Sequence, residues 1–363
     1  MKINLYGDIF GQTGYNRHTR SLANALFELG FDVRLDTAKP PQWERECNDA
    51  EFNMCTKEFD PDCITIMIAQ PQYWNIALAA KPKKFYGFCV WEGDVVPEYW
   101  VKFLTDRRVD GIFVPSQHTK DAILKVYKQL SKKIHIIPHG YNPAIFYPEE
   151  KPTSKVLTFS ANKGWSQGLY DRGGLQWLIK AFSQEFNNKD KVELKIKINP
   201  VYNNPEWNIK KEISALKLDR INKAKIYTTC NLISDDALRH FYNEGDVFVT
   251  TSMGDAFNLP VIEAMACGLP VCATYFGGQS DMVDNKNGWV IKQGKLVHWS
   301  KEPAYEETKW FKPNISGIRK KLRYIYDHQE QIKKKREKVL SEAPNWTWLQ
   351  TAKKIKKLLS NLN

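Results

Sequence analysis

No stretch of this 363-residue chain is apolar over anything near 20 residues, the length that spans a bilayer, so nothing reads as a transmembrane helix. The N-terminus, MKINLYGDIFGQTGYN, runs straight into a strand-like segment and lacks the apolar core of a signal peptide. The expected location is therefore the cytoplasm. Cysteine is sparse and unpatterned. The seven, Cys47, Cys55, Cys63, Cys89, Cys230, Cys267 and Cys272, are odd in number and form no CxxC. That argues against a disulfide framework and against structural zinc, and leaves small buried hydrophobes. The GxGxxG dinucleotide spacing is missing too, although glycines follow the first strand. No short repeat period appears.

Negative charge is scarce at one end. The net charge is +12, and residues 315–363 hold 13 Lys and Arg against 4 Asp and Glu. A basic helical tail can meet anionic lipid, nucleic acid or water. The solvated face is the simpler reading. Peripheral contact with an anionic inner membrane face stays an expectation to test, and no specific nucleic acid is expected.

What is present is a doubled α/β pattern. The length suggests two domains. KINLYGDI, FDVRLD, CITIMIA, FYGFCVW, GIFVPS and IHIIPHG read as buried strands, with a helix over NRHTRSLANALFELG. Leu22, Leu26 and Leu29 share one face of that helix, and Gly30 stops it. Strands apolar throughout, separated by helices, indicate a parallel sheet covered on both faces. YPEEKPTSK at 147–155 reads as a linker, after which the pattern restarts with VLTFSAN, VELKIKI, AKIYTTC, DVFVTTS, LPVCATY and GWVIK. Two doubly wound α/β domains are expected, 1–148 and 149–343. An amphipathic helix within 344–363 presents Trp348, Ala352, Ile355 and Leu359 and is expected to pack back on the first domain.

Several segments carry chemistry. DAFNLPVIE, 255–263, places Asp255 after a strand and Glu263 near a helix start, where open α/β sheets bind ligands. Gly7, Gly11 and Gly14 precede a helix, where backbone N–H groups can approach a diphosphate. Lys163 and Arg172 are cations in a loop leading to a helix, suited to a leaving phosphate. GFCVWEGDVVPEYW, 87–100, puts Trp91, Glu92 and Asp94 at a strand end, suited to a polyol, with Glu92 able to orient or deprotonate an acceptor hydroxyl. His18 and His118 sit near loop or helix starts and read as capping or surface residues. His139 reads as structural. Asp60-Pro61-Asp62 matches a metal-binding DxD but precedes its strand, so it reads as a turn and no metal site is expected.

From 246 to 283 the resemblance becomes specific. Ser252, then Asp255-Ala256-Phe257-Asn258-Leu259-Pro260, then Glu263-Ala264-Met265-Ala266-Cys267-Gly268-Leu269-Pro270-Val271, then Gly277-Gly278, resembles the nucleotide-sugar site of glycosyltransferase family 4. That family shows Glu-Gly-Phe-Gly-Leu-Pro and a second Glu heading Ala-Met-Ala-Cys-Gly. GQTGYNRHTRSLANALFELG, VPSQHTKDAI, IPHGYNPAIFYP, DRGGLQWLIKAF and NWTWLQTAKKI agree in order. The resemblance implies the GT-B fold, two Rossmann-like domains facing a cleft. It implies retaining transfer of a sugar from a nucleotide diphosphate sugar, carrying UDP or GDP, to a hydroxyl of a glycan, lipid-linked or other glycoside acceptor. No cofactor is implied beyond that donor.

By the same resemblance, Glu263 binds ribose hydroxyls and Asp255 lies near the transferred sugar. Backbone N–H groups around Asn258 and Leu259 face sugar or phosphate. Gly14 admits the diphosphate, and Arg172 with Lys163 stabilises the departing nucleotide. Asp255 replaces the usual Glu, Ala256 and Asn258 replace glycines, and Gly173 stands where Lys is common. The alternatives are another GT-B sugar-nucleotide enzyme, epimerase or phosphorylase-like, or a degenerate non-catalytic binder of nucleotide or membrane.

Overall fold

A computed structural model describes residues 1–11, 13–37, 48–150, 154–203, 206–219, 221–299 and 303–361. The chain divides into two compact units, Met1–Asn142 with Trp346–Asn363, and Pro143–Asn345. The division falls ahead of the expected boundary at 148. Glu149 belongs with the second unit: it accepts from Arg239 Nε at 2.7 Å, and its backbone N–H donates to Asn243 Oδ1 at 2.8 Å. Residues 151–153 of the expected linker lie outside the described residues.

The first unit is built on six strands: β1 (Lys2–Tyr6), β2 (Asp32–Asp36), β3 (Ile64–Ile68), β4 (Lys84–Phe88), β5 (Gly111–Val114) and β6 (Ile134–Ile136). They form one parallel sheet in the order β2-β1-β3-β4-β5-β6. Ile3 to Tyr6 and Thr65 to Ile68 are buried in unbroken runs, which is the pattern a sheet covered on both faces requires. The first helix, Gly14–Glu28, starts on a reciprocal cap. Thr13 accepts from the Asn16 backbone, and the Asn16 side chain accepts from Thr13 N at 3.0 Å.

The last helix, Trp348–Ser360, packs on Gly14–Glu28 in this same unit. It buries Trp348, Ala352, Ile355 and Leu359, together with Thr351, whose hydroxyl donates to Pro138 O at 2.7 Å. Lys353, Lys354, Lys356 and Lys357 are exposed on the other face. Its entry is fixed by backbone bonds between Tyr141 and both Trp346 (3.0 Å) and Trp348 (3.2 Å).

His18 is fully buried rather than a surface or capping residue. Its ring lies 4.1 Å from that of His139, 4.3 Å from Phe88 and 5.5 Å from Trp348. Burial drives the His18 pKa well below its usual value, and the neighbouring His139 adds to the effect; burial alone takes His139 down to about 3. Both rings are therefore neutral in the fold. Because the folded pKa values lie below the unfolded one, the unfolded chain binds more protons as pH falls below about 6.5. Stability should be fully present above that value and lost progressively as pH falls towards the folded values. The melting temperature should therefore drop between about pH 7 and pH 5. The drop should be shallower in His18→Leu, which has no charge to acquire, when both are followed by circular dichroism. Equal slopes would contradict the neutral-pair account.

The second unit carries β7 (Leu157–Gly164), β8 (Val192–Asn199), β9 (Lys225–Thr229), β10 (Val247–Thr250), β11 (Val271–Thr274) and β12 (Gly288–Ile291). These also run parallel, in the order β12-β11-β10-β7-β8-β9. The core packs Phe159 against Phe182 and Phe186, and the helix Leu175–Glu185 against Ile315–Asp327. An antiparallel hairpin, Gly294–Val297 with Trp310–Pro313, is added outside the sheet. The strand order reverses between β7 and β10, and ligands of open α/β sheets bind at the carboxyl ends of strands at such a reversal.

Candidate functional site

Lys163 was expected in a loop. Instead β7 extends through Gly164, and Lys163 sits near its carboxyl end, in register with Ile198 of β8. The neighbouring strand β10 ends at Thr250, and a loop leads from it to the helix Leu259–Ala266. Lys163 Nζ bonds Asp255 Oδ2 and lies 3.3 Å from Asn258 Oδ1. Arg172 Nη1 donates to Gly254 O at 2.8 Å and stands 3.5 Å from Asp255 Oδ1. Burial pushes the Asp255 carboxyl up, but the charges of Lys163 and Arg172, with hydrogen bonds from Lys163 and Ser252, outweigh it and hold the group below its ordinary value. Two cations on one carboxylate leave the cluster net positive. Arg172 keeps 38 % of its side chain exposed, against 14 % for Lys163 and 13 % for Asp255, so the guanidinium is the more accessible of the two cations.

Asp171 shapes the loop that delivers Arg172. Its carboxylate accepts from the backbone N–H groups of Ser166 (2.8 Å), Gln167 (3.3 Å) and Gly173 (2.7 Å). The loop is pressed onto the end of β10: Met253 N donates to Arg172 O at 2.8 Å, and Thr251 Oγ1 donates to Gly174 O at 2.8 Å. A Cβ on Gly174, whose φ is +82°, would lie 2.0 Å from Thr251 O. A Cβ on Gly173 would lie 2.8 Å from Lys163 Cγ. Asp171 Oδ1, the aliphatic stem of Lys163 and Gly164 O together fill the space that a side chain at 173 would need.

Asn258 caps the helix Leu259–Ala266 at φ +76°. Asparagine is among the few non-glycine residues that take the left-handed region readily. Its amide donates to Thr250 Oγ1 (3.2 Å) and Gln279 Oε1 (3.1 Å) while its oxygen faces Lys163. The departure from glycine therefore keeps the backbone shape and adds a side chain that holds Lys163.

The helix begins at Leu259, so Glu263 lies inside it rather than near its start. Glu263 is buried and accepts a hydrogen bond from Tyr242 Oη at 2.9 Å. Tyr242 in turn accepts from Asn162 Nδ2 at 2.8 Å. Asn162 directly precedes Lys163 on β7. The two acidic residues of the 255–263 segment are thus both tied to the end of the same strand.

In the first unit, Gly14 is the first residue of its helix, and a Cβ there would meet nothing within 4 Å. Gly11 differs, since a Cβ would lie 2.3 Å from Asn16 Oδ1. Packing explains Gly11, whereas among the described residues nothing crowds Gly14. Trp91 is not an open aromatic face. It is buried against Trp100, ring centroids 4.8 Å apart, and donates to Val95 O at 2.7 Å. Glu92 beside it is largely buried, with its carbonyl 3.1 Å from His118 Nε2. Asp60 forms the turn before β3, accepting from Asp62 N at 3.0 Å on its carboxylate and from Asn4 Nδ2 at 2.8 Å on its carbonyl. Among the described residues no group of three or more His, Cys, Asp or Glu side chains is placed to hold a metal.

Residues 164–302 match the family described as Glycosyl transferases group 1. The match lies within the second unit. It is 29 % identical, over 253 residues, to a probable sucrose-phosphate synthase of Thermosipho melanesiensis, covering 68 % of this chain and 52 % of that protein. The chain thus spans about half the length of that relative. Two solved structures share its fold. Sucrose-phosphate synthase of Thermosynechococcus elongatus superposes with a TM-score of 0.69 at 17 % identity, over 99 % of this chain and 98 % of the other. Anabaena HepE, solved in complex with UDP-glucose, superposes with a TM-score of 0.67 at 13 % identity, over 99 % and 100 %. The two six-stranded parallel sheets are those of the GT-B fold.

Two residues of the site have little or no signal in the sequence. Tyr242 had a faint signal, a tyrosine on the buried face of the helix Asp235–Asn243. Asp171 had none beyond its place before Arg172, because its work is done on backbone N–H groups that only the folded loop gathers.

Proposed function

We propose that this chain is a retaining, metal-independent glycosyltransferase that moves a sugar from a nucleoside diphosphate sugar to an acceptor hydroxyl. The observation that carries the reading is the Lys163–Arg172–Asp255 cluster at the β7/β10 reversal, joined through β7 to the buried carboxylate Glu263. A net positive, preorganised cluster suits an anion whose charge grows during the reaction. In this reading Arg172 and Lys163 receive the diphosphate, and Asn258 aims Lys163. Backbone N–H groups at Asn258 and Leu259 meet sugar or phosphate, and Glu263 accepts the ribose hydroxyls, as a carboxylate with two oxygens can. Asp255 faces the transferred sugar. Gly14 is a further diphosphate contact, and Glu92 orients the acceptor.

In the step proposed, the bond from the anomeric carbon to the β-phosphate oxygen breaks and the acceptor oxygen bonds that carbon on the same face. The acceptor proton passes to the departing phosphate oxygen. HepE, which shares the fold, was solved with UDP-glucose, so UDP-glucose is the first donor to try, followed by GDP sugars. The cytoplasm is the proposed location, since the described residues contain no helix long and apolar enough to cross a membrane. The exposed lysines of the last helix support peripheral contact with anionic lipid.

The test is product analysis with a labelled donor, with and without glycan and glycolipid acceptors. Expected are acceptor-dependent transfer with the donor's anomeric configuration kept, and unchanged rates in EDTA. An inverted product would overturn the retaining reading. Loss of activity in EDTA, restored by manganese, would overturn the metal-free one.

A further inference from the structure

We propose that Tyr242 is a positioning residue for nucleotide recognition: its hydroxyl fixes the orientation of the Glu263 carboxylate and so sets how strongly the site selects ribose over deoxyribose. The inference rests on the proposed role of Glu263 and deepens it. The terminal torsion of a glutamate is broad and nearly two-fold, so packing of the stem alone does not orient the carboxylate plane. A hydrogen bond to one oxygen does. Tyr242 Oη supplies that bond to Glu263 Oε2 at 2.9 Å.

The direction of the bond is also set. Asn162 Nδ2 donates to Tyr242 Oη at 2.8 Å, so the tyrosine proton is left to point at Glu263. An amide nitrogen can only donate and an ionised carboxylate can only accept, with the hydroxyl as relay between them. The ring cannot swing away. It is fully buried, with Phe146 at 6.0 Å and Phe248 at 5.8 Å, both edge-on. Burial pushes the Tyr242 pKa well above its ordinary value, and the Glu263 charge pushes it further, so the relay keeps its proton. The helix that carries Tyr242 is itself anchored. Asn243 Nδ2 donates to Tyr147 O at 3.1 Å, and Arg239 Nε donates to Glu149 Oε1 at 2.7 Å.

The experiment is isothermal titration of the full chain with UDP and GDP and with their 2′-deoxy counterparts. The wild type should bind the better ribonucleotide about tenfold more tightly than its deoxy form, the worth of about one hydrogen bond to a charged group. Tyr242→Phe keeps the ring and removes the hydroxyl. It should cut that ratio to about twofold or less. Asn162→Ser releases the hydroxyl without touching the ring. It should lower the ratio in the same direction by a smaller factor, and it carries the test if the first variant does not fold. A tyrosine that only packs would weaken both nucleotides together, and an unchanged ratio in the folded variants would overturn the inference. A wild type that does not distinguish ribose from deoxyribose would overturn the ribose role of Glu263, and this inference with it. The two failures are thus told apart by the wild type alone.

Discussion

Glu263→Ala should lower kcat/KM for sugar transfer by about a hundredfold or more while leaving the far-UV circular dichroism spectrum unchanged. Hydrogen bonds to a charged group are worth about 1.5–3 kcal/mol each, and a carboxylate bridging two ribose hydroxyls makes two of them. The loss should fall on KM as much as on kcat, because ribose is gripped before and during transfer. Truncation also leaves Tyr242 Oη without the acceptor it has at 2.9 Å. A melting temperature a few degrees lower, from about 1–3 kcal/mol, is therefore part of the expectation. Wild-type kinetics in this variant would remove Glu263 from the site.

Lys163→Ala should act differently. Its main effect should be on kcat, down about 10²–10³-fold, the range seen when one preorganised donor to developing negative charge is removed. Lys163 also partners a buried acid, so the single variant loses stability as well, leaving Asp255 with the more distant Arg172. Removing one partner of a buried pair is costly because the other charge stays behind. The double variant Lys163→Ala/Asp255→Asn removes that charge too. It should recover most of the lost melting temperature and none of the lost turnover. Recovery of turnover would mean that Lys163 serves only to neutralise Asp255.

Much of this was legible in the sequence because the signals were local. The twelve strands of the two parallel sheets fall on the runs read as strands; central ones such as β1, β3 and β10 are buried in continuous runs, since strands buried on both faces cannot alternate. The Trp348, Ala352, Ile355 and Leu359 spacing marked the buried face of the last helix for the same reason. What was not legible depends on distant contacts. Lys163 looked like a loop residue because KGW, following VLTFSAN, carries no strand signal. Its strand conformation comes from pairing with β8, in register from Leu157 to Gly164. Trp91 looked like a sugar-facing ring, but it is core, packed against Trp100. His18 looked exposed until the C-terminal helix covered it. The bond between Lys163 and Asp255 spans 92 positions, and no spacing rule reaches that far. Gly173 likewise has a long-range reason: Asp171, the Lys163 stem and the Gly164 backbone occupy its side-chain space.

The central claim is that the cluster at the end of β7 and β10 receives a diphosphate. The most direct measurement compares, by titration calorimetry, the affinities of UDP, GDP and ADP with those of their nucleosides, in the wild type and in Lys163→Ala. The account predicts that the preferred diphosphate binds at least about a hundredfold more tightly than its nucleoside, and that Lys163→Ala closes most of that gap while leaving nucleoside affinity alone. Equal affinity for diphosphate and nucleoside in the wild type, or a gap that Lys163→Ala leaves untouched, would contradict it.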